Sequence, residues 1–168
     1  IAQTGSMLVS TALVVVHQVI APEITKIKEN NDHQQLKNLF RKSARLTTII
    51  AFPVSIPLIF FGEPLVSTVY GVDFGADVAL PLAILSIGQL FNVLFGLVGL
   101  FLAMSGFEKD SLIGQIIALI SNVVLCLVLI PTMSSVGATI AIAISTLIWN
   151  IVLGYQMHKR LKILPGPF

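Results

Sequence analysis

Apolar residues run along this chain in long, nearly uncharged blocks separated by short polar stretches. A block of roughly 18 or more such residues has the length of a membrane-crossing helix. About five are expected: 1–21, closed by Pro22; 46–70, with Pro53, Pro57 and Pro64 inside it; 79–104; 111–130, closed by Pro131; and 136–157. Each covers a hydrocarbon core of roughly 30 Å at about 1.5 Å of rise per residue. Pro53 and Pro57 remove backbone donors, so a kink is expected in the second block.

The linker 22–45 has a different pattern. Its end, "LKNLFRKSARL", puts Leu36, Leu39, Phe40, Ala44 and Thr47 on one helical face. Lys37, Arg41, Lys42 and Arg45 occupy the other sides. Asp32 is the expected N-cap, with Gln35 at the third helical position of a capping box. The pattern predicts a cytoplasmic amphipathic helix in the headgroup layer, turning directly into the second span.

Composition points to the same solvent. The 168 residues are 55% hydrophobic and only 11% charged, against about 25% charged in an ordinary soluble domain. The mean hydropathy is +0.94. The fold class is therefore an all-α polytopic membrane helix bundle, with 1–168 as one partial transmembrane domain. A net charge of +2 is too small to suggest nucleic acid as a partner. The chain starts at Ile1 with no basic segment before the first apolar block, so that block does not read as a signal peptide. It is expected to be a piece of a longer protein.

The cations set an orientation. Lys26, Lys28, Lys37, Arg41, Lys42 and Arg45 lie in the first linker, Lys109 in the third, and Lys159, Arg160 and Lys162 in the tail. The second linker carries only Asp73 and Asp77, and the fourth no charge. With five spans, all ten cations fall on one side. The positive-inside rule makes that side, with the C-terminus, cytoplasmic, and puts the N-terminal end outside. Membrane lipid is the first partner.

Polar stripes cross the blocks. In the third, Ser86, Gln89, Asn92, Gly96, Gly99 and Ala103 recur at steps of three and four; in the fourth, Ser111, Gln115, Ala118, Asn122 and Leu125 do so. Gln3, Ser6, Ser10 and His17 form a looser version in the first. Gly137, Ala141 and Ser145 form a small-residue stripe in the fifth, with Trp149 and Asn150 just beyond. Two readings stay open. The stripes are helix–helix contacts, or Gln89, Asn92, Gln115, Asn122 and Asn150 face a hydrated cavity and meet sugar hydroxyls. Glu63 lies within a predicted span between Gly62 and Pro64, where a break is expected. It is a weak ion-coupling candidate or a helix-start residue near water.

Enzyme chemistry is not legible. His17, His33 and His158 lack metal-ligand spacing, and there is no P-loop or paired-carboxylate motif. Cys126 reads as an inert thiol. No catalytic residue, metal or cofactor is expected.

The order of segments does resemble a known family. A basic linker ends in "LFRKSARLTTIIAFPVSIPL", "YGVDFGADVALPLAIL" follows, and then "FLAMSGFEKDSLIGQIIALISNVVLCLVLIPTMSSVGATIAIAIST". Tyr70-Gly71 with Phe74, Met104-Ser105-Gly106 before a charged turn, Asn122 ahead of Leu129-Ile130-Pro131, and Val136-Gly137-Ala138 carry most of it. The chain resembles the C-terminal part of a polysaccharide or O-antigen flippase of the multidrug/oligosaccharidyl-lipid/polysaccharide exporter superfamily, which is MATE-like in fold. The resemblance implies a two-lobed, alternating-access transporter of undecaprenyl-diphosphate-linked oligosaccharide in the bacterial inner membrane. This chain would supply most of the C-terminal lobe, with the N-terminal lobe as its missing partner. No Lys or Arg lies inside a predicted span. The cation expected for a diphosphate then comes from the missing lobe, or Lys26, Arg41, Lys42 and Arg45 take the headgroup at the membrane face. A MATE-type drug/cation antiporter and a non-transporting membrane assembly subunit are the alternatives.

Overall fold

A computed structural model describes residues 2–29, 33–70, 75–95 and 97–166. Asp32, the motif residues Gly71 and Phe74, Asp73 and Gly96 lie outside the described residues, as do the side chains of Gln3, Ser6, Ser10, Tyr70 and Asp77. Among the described residues the chain forms six helices and no strand: α1 (Ala2–Glu29), α2 (His33–Phe60), α3 (Gly62–Tyr70), α4 (Gly75–Phe95), α5 (Val98–Met104) and α6 (Glu108–Leu161). α4 is central and packs against α1, α2, α3 and α6. The architecture is an all-α membrane bundle. Three helices, α2, α4 and α6, contain stretches long and apolar enough to cross a membrane.

Pro22 does not close the first block, because α1 runs through it to Glu29. Proline removes one backbone hydrogen bond, but tertiary packing continues past it. Val16, Ile20 and Ile24 are all buried at four-residue steps, and Ile27 packs beside them.

The amphipathic segment is helical but not a separate helix lying along the surface. It forms the first turns of α2, whose 28 residues continue without a break through Pro53 and Pro57. Its apolar face explains this. Leu36, Phe40, Ala44, Thr47, Ala51, Ser55 and Leu58 are buried in one register across both parts. Thr47 and Ser55 satisfy their buried hydroxyls on backbone carbonyls one turn back. Phe40 also meets Phe101 edge to face, with ring centroids 5.0 Å apart.

The second block breaks at Phe61, and α3 starts at Gly62, so Glu63 sits exposed in the first turn of α3. The third block is interrupted too. α4 ends at Phe95, and α5 starts only after Leu97. The expected stripe from Ser86 to Ala103 therefore belongs to two helices rather than one face. Leu97 is 1% exposed, and Phe101 N–H reaches its carbonyl at 3.0 Å.

α5 ends in a tight reversal. Phe107 N–H donates to Leu102 O and Gly106 N–H to Ala103 O, with Gly106 at φ +84°. This pair of bonds is a Schellman cap, and the left-handed residue it needs is the glycine.

α6 is a helical hairpin. Ser134 has φ 49° and ψ −124°, outside helical space, and the chain reverses there. Pro131 lies inside the first leg rather than ending it. Asn122 bonds Ser145 across the hairpin, and Asp110 pairs with Arg160 at its base. Each leg exceeds the roughly 20 residues of a spanning helix. Its first leg exposes Leu112, Ile116, Leu119, Ile120, Val123, Leu127 and Val128, a surface that only lipid or another apolar partner can cover. After Leu161 the chain turns at Lys162, and Ile163 and Pro165 pack back along the second leg near Gly154.

Candidate functional site

The polar residues of α4 and α6 meet inside the bundle. Asn150, 3% exposed, donates one amide hydrogen to Asn92 Oδ1 at 2.9 Å and another to Thr146 O at 2.9 Å. Asn92 Nδ2 donates in turn to Gln89 Oε1 at 3.3 Å, one turn away on α4. The result is an amide chain from Gln89 through Asn92 to Asn150. Burying these amides costs little because each finds a partner.

Asn92 and Asn150 also line a cleft of about 350 Å³. Its wall holds Gln115 and Ser111 of α6, His17 of α1, Trp149, and Gly99 beyond the α4–α5 break. Leu97 lines it as well, so the non-helical backbone borders the cleft. Irregular backbone in an apolar bundle is tolerated where it is buried in protein or lines a cavity. The Trp149 Nε1 hydrogen is buried without a partner among the described residues. Gln115 is exposed. Among the described residues, the cleft thus offers several hydrogen-bond donors and acceptors, the His17 imidazole included, and no carboxylate, lysine or arginine.

Of the five amides expected to face a cavity, the structure brings Asn92, Gln115 and Asn150 to the cleft wall. Gln89 stands behind Asn92. Asn122 lies elsewhere. It donates to Ser145 Oγ at 3.0 Å between the two legs of α6, and Cys126 Sγ approaches its Oδ1 at 3.7 Å. His17, Ser111 and Trp149 complete the wall. They occupy three different segments, and the only sequence signal was their place on or beside the polar stripes.

The cations gather at the opposite extreme in polarity. The end of α1, the start of α2, the α5–α6 turn and the end of α6 converge, which brings the basic linkers to one end of the bundle. Arg41, Lys42 and Arg45 line one open groove of about 450 Å³ on α2 with Asn38, Leu46 and Ile49. Lys26 is exposed on α1 and does not line that groove. Glu63 lines none of these cavities. Among the described residues, no three of His, Cys, Asp and Glu are grouped to hold a metal ion.

The capsular polysaccharide biosynthesis protein CapF of Staphylococcus aureus is 28% identical over 146 residues, covering 87% of this chain and 36% of CapF. The chain therefore spans about a third of the length of that curated relative. No solved structure matches it with significance. A family model described as lipid II flippase MurJ matches residues 5–167. That match covers nearly every helix above and accords with the expected polysaccharide-type exporter, so the chain belongs to the lipid II flippase MurJ family.

Proposed function

We propose that this chain is most of the C-terminal lobe of an inner-membrane flippase for an undecaprenyl-diphosphate-linked oligosaccharide. The observation that carries the reading is the family match over residues 5–167. A relative described as a capsular polysaccharide biosynthesis protein supports a glycan as cargo. O-antigen intermediates are one such cargo. In this reading an N-terminal lobe completes the cavity, and the lobes rock to open it alternately to each side. The cation-rich end is cytoplasmic, as is the C-terminus.

The lobe's chemistry suits a glycan. Asn92, Gln115 and Asn150 present neutral amides, which exchange hydrogen bonds with hydroxyls without the desolvation cost of a buried charge. Arg41, Lys42 and Arg45 on α2 form a cytoplasmic groove for a diphosphate headgroup, with Lys26 as a further contact. Phosphate binds strongly to several convergent cations. Glu63 stands exposed in the first turn of α3, so among the described residues no carboxylate lines the cleft to favour an ion-coupled drug antiporter.

The test uses the full-length protein in cells depleted of their own copy. Surface glycan and lipid-linked oligosaccharide accessible to an outside, membrane-impermeant reagent are measured. The wild-type protein should restore both. A variant with Asn92→Leu and Gln115→Leu should restore neither at equal membrane abundance. Full restoration would remove these amides from the transport path. Drug resistance without glycan export would replace the flippase reading with the antiporter.

A further inference from the structure

A second cavity lies at the cation-rich end, about 190 Å³ in volume, between α1, α2, the α5–α6 turn and the end of α6. Ile27, Leu36, Phe107 and Leu161 make it partly apolar. Lys28, His33, Ser105 and Arg160 supply its polar wall. It shares no lining residue with the polar cleft or with the Arg41 groove.

Three observations point to a ligand there. Ser105 is 7% exposed, and its hydroxyl is buried with no hydrogen-bond partner among the described residues. Such a group costs free energy unless something binds it. Lys28 makes no ion pair among the described residues. Its Nζ instead lies over the Gly106 turn, 2.6 Å from where a Cβ would stand. Arg160 uses Nε and Nη2 on Asp110, stacks over the Phe107 ring at 5.4 Å, and keeps its other N–H groups. The Asp110 carboxylate is thereby already neutralised by Arg160. His33 opens α2, at the positive end of that helix's dipole.

We propose that this pocket binds a phosphate group, with Lys28, Ser105 and Arg160 donating to its oxygens and His33 at its rim. A tetrahedral anion has enough acceptor oxygens to meet donors arriving from three elements. A carboxylate, with two oxygens in one plane, matches that arrangement less well. The phosphate comes either from a membrane phospholipid headgroup or from free phosphate in the aqueous phase. Either one ties α1 and α2 to the base of the α6 hairpin.

The experiment takes the purified full-length protein, delipidated in neutral detergent, and follows its thermal unfolding. One arm adds inorganic phosphate, another adds phosphatidylglycerol, and a control adds chloride at equal ionic strength. A stabilising shift with phosphate alone identifies the free anion as ligand. A shift with phosphatidylglycerol alone identifies the headgroup. Lys28→Gln should weaken the effective ligand about tenfold, the loss of one charge-assisted hydrogen bond. Ser105→Ala gives an independent check. Without ligand it should unfold at the same temperature or higher, since an unsatisfied hydroxyl is gone, and it should lose most of the ligand's shift. The proposal is overturned if neither arm exceeds chloride, or if both variants respond like the wild type.

Discussion

Arg160 Nε donates to Asp110 Oδ2 at 2.7 Å, closing the base of a hairpin whose legs are joined at the far end by Ser134. Asp110 is buried, whereas about half of the Arg160 side chain is exposed. The pair lies between a surface ion pair, worth up to about 1 kcal/mol, and a buried one, whose breaking costs about 3–5 kcal/mol. Asp110→Ala should therefore destabilise the folded protein by about 1–3 kcal/mol. In a double-mutant cycle with Arg160→Ala, a coupling of about 1 kcal/mol is expected from denaturation in detergent. Strict additivity would show that the contact contributes nothing.

The far end of the hairpin makes two opposite predictions. A Cβ on Gly137 would stand 2.2 Å from Leu129 O, a backbone atom that cannot swing aside. Gly137→Ala should open the turn and cost about 2–4 kcal/mol. Ser134 holds φ 49° with ψ −124°, a region open to glycine but costly for a residue with a Cβ. Ser134→Gly should stabilise the protein by about 1 kcal/mol. Thermal unfolding of the two variants beside the wild type decides both signs.

Much of this bundle is written in residue periodicity, because burying an apolar stripe is a local decision repeated every turn. The interruption before Glu63 follows Gly62 and Pro64. Proline was the misleading signal. Pro22 lies inside a helix because neighbours such as Ile24 continue the packed face, and that packing is not local; Pro131 too lies inside a helical leg, although its neighbours are exposed. The break at Leu97 was missed because the polar stripe runs through it in register. The Asp110–Arg160 pair spans fifty residues and becomes legible only once the hairpin register is known. For the same reason the amides were legible as a set. Their division into a cleft group, Asn92 with Asn150, and a hairpin tie, Asn122, depends on which helices meet.

That division has a functional consequence. Asn122→Leu leaves the Ser145 hydroxyl bonded to Ala141 O and Ile142 O, so its effect should be a modest loss of stability with transport retained. Asn150→Leu strips Asn92 of its donor and puts an apolar group in the cleft wall. Glycan export by the full-length protein should fall at least tenfold for Asn150→Leu and less than twofold for Asn122→Leu, roughly 1.4 kcal/mol against a few tenths. Equal export defects, normalised to membrane abundance, would refute the separation.

The hairpin also offers a direct reading of orientation. The α5–α6 turn and the Ser134 reversal stand at opposite ends of the first leg of α6, which is long enough to cross a bilayer. Cys126 is the cysteine within these 168 residues and is half-buried, so the background is the full-length protein with Cys126→Ala and any cysteine elsewhere in it replaced as well. On it, Glu108→Cys and Ser135→Cys place thiols at exposed positions on either side. A membrane-impermeant maleimide applied to intact cells should label position 135, and position 108 only after the membrane is opened. Ten cations bias the orientation, and one side of the expected topology holds all of them. Labelling of position 108 from outside would invert the orientation and with it the cytoplasmic assignment of the Arg41, Lys42 and Arg45 groove. Labelling of both positions from the same side would mean that the leg does not cross at all.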